Sequence, residues 1–497
     1  MPLKFTRHFV FILTACLSPF TALANFDFNA NCVKAYQSIF ELKLATAKQL
    51  IAAEKKARPN NSIIPLLENY VDYFYLLTTE SKVEFEKLES NKANRLDQIS
   101  RDDKSSPYYL YAQAEINLQW ALIRSRYGAY FAASREINRA NGLLKDNQKK
   151  FPAFHLNDKG LGLINVVIGA LPDGFMKSAL STFGVKGDVQ TGLAQLDRLA
   201  ENLPKSTYEP FYEEVVFYYA YLLSDVAKSP QAYAKTMKYT ARIADSSLLK
   251  SYMQAYVCAR NGKSEQAIEI LESRPKGSAY QPFAYLDYLL GVARLNKLDV
   301  GASSNFNQFL QQNKGVNYIK DSYLHMAWIS LLKEDTAGFN NFISQVKSKG
   351  NTYAEKDKQA LNEANAPRPQ LVLLKARLLY DGGYLSKALE VLNASKADDF
   401  NNNKDKTEYA YRLARVNDDL GRDDAALVQY QNAINLGKGL KYYYAAKSAV
   451  LAGNIYERKK NFVKAKACFR LAIDMKGHEY ENSIENEAKQ ALKRIDG

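Results

Sequence analysis

The chain has 497 residues, of which 67 are Lys or Arg and 53 are Asp or Glu, so its formal net charge is +14. Hydrophobic residues make up 47% and there are only 24 Gly and 14 Pro, which excludes a disordered or collagen-like chain. This length exceeds one compact core and predicts two domains or an elongated array.

The N-terminus has the features of an export signal. A basic start is followed by an apolar run at residues 9–17 that is too short to span a bilayer, and by small residues at 22–24. We therefore expect residues 1–24 to be a signal peptide. The mature chain, beginning at Asn25, would be periplasmic or envelope-associated.

The N-terminus also allows a second interpretation, as the signal of a lipoprotein. Residues 13–16 have the order of a lipobox, in which Cys16 would carry lipid and become the first mature residue. Cleavage there would leave an apolar mature stretch at residues 17–28 unexplained, so plain cleavage is favoured. No later run of 18 apolar residues occurs, and we expect the mature chain to be soluble or anchored only at its tip.

The basic composition restricts the partner. Export argues against nucleic acid, whereas acidic lipid headgroups, anionic glycans or an acidic protein would suit a basic surface. The mature cysteines, Cys32, Cys258 and Cys468, are odd in number and far apart, so we expect small buried residues rather than disulfides or a metal site.

Residues 25–240 are predicted to be helical but irregular. Apolar residues recur every three or four positions in 33–53 and 64–77. Ser106 followed by Pro107 marks a helix start, and residues 108–123 continue it with one apolar face. Strand-like alternation is almost absent, which predicts an all-α fold.

The last third repeats a spacing of small and large residues. A small residue is followed twelve positions later by another, then by a large apolar residue and a third small one. The three clearest copies start at Ala376, Ala414 and Gly453, which are 38 and 39 residues apart. A further copy starts at Ala255, and a weaker one starts at Gly291. Turns are predicted at 261–263, 381–383 and 418–422.

This spacing is typical of tetratricopeptide (TPR) repeats, which stack helical hairpins into a right-handed superhelix. We expect TPR-like repeats at 241–346, a joint rich in Gly, Asn and Pro at 347–369, and C-terminal repeats at 370–497. Residues 161–196 also resemble a TPR family that includes the fungal inclusion-body clearance protein and its animal relatives. The resemblance is carried by residues 160–162, 170–172, 183–184, 187–188 and 192–193, and by a tyrosine-alanine-glutamate helix at 111–122.

That resemblance implies a binding or adaptor role, since the family has no catalytic residues to carry over. The composition and signal peptide are also similar to those of exported TPR proteins of Bacteroidetes-type bacteria.

A search for catalytic motifs gives no reason to expect an enzyme, a cofactor or a metal. His155, His325 and His478 are far from one another and are predicted to be surface or helix-face residues. The enzymatic alternative is a cell-wall glycosidase or lytic transglycosylase, with a catalytic Glu in one of the Glu-Ser pairs at 80–81, 89–90 and 272–273.

The clusters of tyrosine in the sequence favour a function in binding a partner. Candidate partner-binding residues lie near the C-terminus, where aromatic anchors have basic neighbours: Tyr442, Tyr443, Tyr444, Lys438, Lys441 and Lys447. The leading hypothesis is an exported scaffold that holds a protein partner. The alternative is a lipid-anchored structural component of an outer-membrane assembly.

Overall fold

Every regular element of the computed structural model is helical. The structure describes residues 26–171 and 186–496, and these ranges contain 24 α-helices and no β-strand. The predicted all-α fold is therefore confirmed. No helix in the described ranges is long and apolar enough to cross a membrane. The predicted signal peptide and Cys16 lie outside the described residues.

The N-terminal helices follow the predicted periodicity, with one break. Ser106 caps α5 by accepting a hydrogen bond from the backbone N–H of Tyr108 at 3.2 Å, which confirms the helix start at Pro107. The stretch 33–53 is two helices, because Leu42 has a φ of 60° and turns the chain between them. The helices are α1 (Ala30–Phe40), α2 (Leu44–Ala57), α3 (Ile63–Thr79), α4 (Lys82–Ser100), α5 (Pro107–Arg126), α6 (Tyr130–Lys150), α7 (Asn157–Gly169), α8 (Val189–Asn202), α9 (Tyr212–Tyr221) and α10 (Ala232–Thr240).

The C-terminal helices pack as successive pairs. The predicted turn at 261–263 lies between the helices of a pair, and those at 381–383 and 418–422 begin in the last residues of the first helix and end before the second, which confirms all three to within two residues. The helices are α11 (Leu248–Arg260), α12 (Ser264–Ser273), α13 (Tyr285–Asn296), α14 (Ser303–Gln312), α15 (Ile319–Leu332), α16 (Thr336–Ser348), α17 (Glu355–Ala364), α18 (Leu371–Asp381), α19 (Leu385–Asn393), α20 (Asn403–Asp419), α21 (Asp423–Gly437), α22 (Tyr444–Arg458), α23 (Phe462–Asp474) and α24 (Glu481–Asp496).

The repeat spacing corresponds to close helix contacts. A Cβ added to Gly453 on α22 would lie 2.5 Å from the ring of Phe469 on α23, and one added to Gly291 on α13 would lie 3.0 Å from Phe306 on α14. Only a residue without a side chain lets the aromatic ring fill the space between the two helices. Each small-large pair thus fixes how one helical hairpin closes.

Glycines also bring α7 and α8 together in the stretch that carries the family resemblance. A Cβ on Gly192 would lie 2.6 Å from the carbonyl oxygen of Gly162. The backbones of the two helices are therefore in direct contact, which a larger residue at position 192 would prevent.

Two junctions join parts of the chain that are distant in sequence. Glu80, after α3, forms an ion pair with Arg126 and accepts a hydrogen bond from Asn317 at 2.9 Å. At the second junction, the N–H of Ser264 donates to the carbonyl oxygen of Gly382 at 3.3 Å. The helices joined at these two junctions enclose a large cavity.

Candidate functional site: a tyrosine-lined channel

A large cavity lies between the N-terminal helices and the C-terminal pairs, and we call it the channel. Its volume is about 1130 Å³, and its lining residues come from helices α3 to α20 and their connections. This volume is in the range of sites that hold organic ligands or short peptide segments. Eleven tyrosines line it: Tyr73, Tyr130, Tyr218, Tyr221, Tyr252, Tyr256, Tyr285, Tyr288, Tyr318, Tyr353 and Tyr380.

Five of these side chains form a continuous series that we call the tyrosine row. The ring centroids of Tyr256 and Tyr252 are 5.6 Å apart, and Tyr285 lies 6.1 Å from Tyr252. Tyr318 lies 4.8 Å from Tyr285 and 4.9 Å from Tyr288. These spacings are those of interacting aromatic pairs. The row therefore presents a rigid wall of aromatic surface with polar hydroxyl groups.

The aromatic wall continues onto the next helices. The ring of His325 lies 6.3 Å from Tyr288 and 4.9 Å from Trp328, and the Arg377 guanidinium lies 4.8 Å from the centroid of Trp328. Trp, Tyr and Arg are the residues that most often dominate the energetics of binding surfaces. The wall thus combines the residue types expected of a binding site.

A turn of π-helix positions one end of the row. Residues Leu222–Val226 continue α9 in the π conformation, which is rare and is found often at functional sites. Asp225 in this turn accepts hydrogen bonds from the Tyr256 hydroxyl at 2.7 Å and from Arg260 at 2.6 Å. The irregular turn therefore fixes the orientation of the first ring of the row.

A strained residue positions the centre of the row. Tyr318, before α15, has a φ of 64°, a conformation that is unfavourable for a residue with a side chain. The carboxylate of Asp357 on α17 holds it by accepting the N–H of Tyr318 at 2.6 Å and that of Asp321 at 3.1 Å. Burial raises the pKa of the Asp357 carboxyl to about 7, against the effect of these N–H donors.

The channel wall does not share the basic charge of the whole chain. Six Lys or Arg and seven Asp or Glu line it, whereas the chain has 67 and 53. Most wall guanidinium groups are neutralised locally, as Arg260 is by Asp225 at 2.6 Å and Arg377 by Glu363 at 2.9 Å. The surplus of positive charge therefore lies on other surfaces.

His325 is held in one orientation by its neighbours. Its Nδ1 lies 2.6 Å from the backbone carbonyl oxygen of Asp321 and 3.1 Å from the Oδ2 of the same residue. The Tyr288 hydroxyl donates to that Oδ2 at 2.5 Å. Burial opposes ionisation of Asp321, yet the His325 ring holds the pKa of this carboxyl below its usual value. His325 lies on a face of α15, one of the two placements expected from the sequence, and it is buried in the channel wall.

A buried charged cluster lies in the core of the N-terminal helices. The Lys159 ammonium on α7 lies 2.8 Å from the Glu115 carboxylate on α5 and 2.5 Å from that of Glu214 on α9. Tyr36 and Tyr70 donate their hydroxyls to Glu214. Burial raises the pKa of Glu214 to about 7, although Lys159 opposes this. The cluster links helices that also supply Ile123, Leu163 and Tyr218 to the channel.

The tyrosines predicted at the C-terminus differ in burial. Tyr444 is buried in an apolar core with Ala410 and Ala414. Tyr443 is half-buried, with its ring centroid 5.7 Å from that of Tyr411 and 5.4 Å from that of Tyr480. The ring centroid of Tyr444 lies 4.5 Å from that of Tyr443 and 6.4 Å from that of Tyr442, so the three predicted tyrosines pack together at the start of α22.

The predicted lysines differ in their surroundings. Lys438 and Lys441 are exposed, and the Lys441 ammonium lies 5.7 Å from the ring of Tyr442. Lys447 forms an ion pair with Glu487 at 2.6 Å. None of the six predicted residues lines the channel.

The cysteines differ in burial. Cys32, Cys258 and Cys468 are unpaired thiols; Cys32 and Cys258 are buried as expected, whereas Cys468 is only partly buried. Among the described residues, no group of three His, Cys, Asp or Glu side chains is arranged to hold a metal ion.

Comparison with protein-family models gives no match for this chain, and no curated protein matches it.

Proposed function

We propose that this chain is an exported TPR-like helical solenoid that binds an extended segment of a protein partner in the tyrosine-lined channel. The repeat spacing, the turns within each pair and the glycine-to-aromatic contacts of Gly291 and Gly453 support a TPR-like arrangement. The basic start, the short apolar run and the small residues at 22–24 support export.

The observation that carries the binding role is the tyrosine row with its continuation to Trp328. Tyrosine and tryptophan supply large contact areas while losing little side-chain freedom, because the rings are already fixed by packing. An extended segment crossing the row would bury apolar surface against the rings and donate or accept hydrogen bonds at their hydroxyls.

The charge of the wall favours a neutral segment over an acidic one. The wall carries nearly equal numbers of acidic and basic groups, and several are paired at 2.6–2.9 Å. An acidic segment would have to displace the wall carboxylates from these pairs, which costs the energy of each separated charge. A neutral segment has no such cost.

Site-specific photocrosslinking tests the proposal. A photoreactive phenylalanine replaces Tyr353, which lines the channel and is 46% exposed, or Phe462, which lies outside it and is 48% exposed. The protein is irradiated in envelope extracts of the source cells. We expect a protease-sensitive crosslinked product from position 353 and none from position 462.

The same experiment distinguishes the channel from the C-terminal residues predicted from sequence. Lys438→Glu with Lys441→Glu changes two exposed charges of that predicted site, and Lys447 is left intact because it pairs with Glu487. If the crosslink at position 353 survives this change, the channel is the binding site. Equal products from positions 353 and 462, or a product resistant to protease, would overturn the proposal.

A further inference from the structure

We propose that His325 contacts the bound segment directly, and that its Nε2 accepts a hydrogen bond from a backbone N–H of that segment. The inference rests on the proposed function, because Nε2 is used in this way only when a segment occupies the channel. It assigns a specific hydrogen bond to one residue of the channel wall.

The first step is the position of the ring proton. Nδ1 faces two oxygen atoms of Asp321, the carbonyl oxygen at 2.6 Å and the carboxylate Oδ2 at 3.1 Å. An unprotonated Nδ1 would direct its lone pair at both oxygens, so Nδ1 carries the proton and donates. In the neutral ring, Nε2 is then left as an acceptor.

The second step is the orientation of the ring. The Phe306 ring is stacked on His325 with a centroid distance of 5.1 Å and an interplanar angle of 19°. Trp328 packs edge-on at 4.9 Å. With one face and one nitrogen held, the ring cannot turn Nε2 to another partner without losing these contacts. Nε2 has no hydrogen-bond partner among the described residues, and the side chain lines the channel.

The third step is the chemistry of the group that Nε2 accepts from. The Asp321 carboxylate lies 3.1 Å from Nδ1 of the ring, and Glu355 on α17 also lines the wall. These carboxylates disfavour an anionic group beside Nε2, whereas a neutral N–H donor is attracted to the acceptor nitrogen. The neighbouring polar groups already have partners, since Tyr288 donates to Asp321 and Arg377 pairs with Glu363. A backbone amide of an extended chain supplies such a donor at regular intervals.

The first test needs no ligand. Nitrogen NMR of protein labelled with ¹⁵N-histidine, recorded in mildly alkaline buffer, shows which ring nitrogen carries the proton. The His325 signal is identified by its loss in His325→Gln. We expect the Nδ1–H form. The Nε2–H form would overturn the inference, because Nε2 would then be a donor.

The second test uses a library of displayed twelve-residue peptides selected on the parent protein. For a selected peptide, His325→Phe keeps an aromatic ring but removes Nε2, and should weaken binding about fivefold, as expected for one neutral hydrogen bond. His325→Gln places an amide acceptor near the position of Nε2 and should retain most of the affinity. Circular dichroism and gel filtration confirm that both variants are folded.

N-methylation of each peptide amide in turn then identifies the donor. One methylated peptide should bind the parent protein about fivefold more weakly than the unmethylated peptide does. The same methylation should cause no further loss of affinity for His325→Phe. Equal affinity of the parent protein and His325→Phe for the peptide overturns this inference and leaves the proposed function standing. If instead no selected peptide crosslinks at position 353, the proposed function fails, and with it this role for His325.

Discussion

The backbone of Gly383, at the turn between α18 and α19, rests directly against the carbonyl group of Gly262, at the turn between α11 and α12. No Cβ fits at position 383, and its φ of 82° also favours glycine. Ser264 reinforces the contact by donating its N–H to the carbonyl oxygen of Gly382 at 3.3 Å. Both turns belong to the lining of the channel, so this contact fixes its width on one side.

Gly383→Ala should therefore lower the free energy of unfolding by more than conformational strain alone. Gly421 is the matched control, because its φ is 73° and a Cβ there would meet nothing within 4 Å. We expect Gly421→Ala to cost about 1 kcal/mol, and Gly383→Ala to cost about 2–3 kcal/mol, since it also displaces the 262 turn. Urea denaturation of both variants measures the difference. Equal losses would show that the two turns are not in contact.

Breaking the buried cluster around Lys159 should lower the free energy of unfolding by more than either glycine substitution does. Lys159→Met removes the ammonium group that lies 2.8 Å from Glu115 and 2.5 Å from Glu214. Two carboxylates are then left buried without a counter-charge, at a cost of about 3–5 kcal/mol. The control Lys238→Met breaks an exposed pair with Glu201 and should leave stability within experimental error. Thermal and urea denaturation compare them, and a loss as small as that of the control would contradict the buried cluster.

Glu213 should make stability depend on pH. Burial raises the pKa of this carboxyl from 4.5 to about 7, although Ser247 donates a hydrogen bond to it. The folded state then binds the proton more tightly than the unfolded state. The stabilisation from Glu213 is complete below about pH 4.5 and is lost as the pH rises through about 7.

Glu213→Gln should accordingly reduce the fall in stability between these two pH values. The opposite control is Glu201→Gln, because a hydrogen bond and charge from Lys238 lower the pKa of Glu201. Removing the Glu201 carboxylate should change the free energy of unfolding only at the acid end of the pH range. Urea denaturation across the pH range checks both, and an unchanged slope in Glu213→Gln would refute the assignment.

The fold was more predictable than the site because its signals are local. Gly453 and Phe469 are sixteen residues apart, and their spacing directly reflects the packing of one hairpin. The helix start at Ser106 is likewise encoded within three residues. The break at Leu42 was missed because a leucine with positive φ has no sequence signature.

The channel depends on contacts between distant parts of the chain. The sequence around Tyr252 and Tyr285 does not distinguish them from ordinary residues of helix interfaces. Their rings form one row only because α11, α13 and α15 pack side by side. One signal was available: Asp321 and His325 are four residues apart in a helical stretch, which places them on the same face. The C-terminal tyrosines are adjacent in sequence and their rings pack together, but none of them lines the channel.

Trp328 should report occupancy of the channel. The chain has two tryptophans, and Trp120 is buried among the N-terminal helices, where its Nε1–H donates to Asn69 at 3.0 Å. Trp328 instead lines the channel between His325 and Arg377. A segment bound against the wall changes the polarity and contacts of this indole, so its emission should change on binding.

Titration of Trp120→Phe with a selected peptide that lacks Trp isolates this signal, and it should saturate at the affinity measured by calorimetry. Trp328→Phe, with Trp120 intact, should show no change in emission at a saturating peptide concentration. A response carried by Trp120 instead would place the peptide against the N-terminal core and away from the tyrosine row, because the indole of Trp120 does not line the channel.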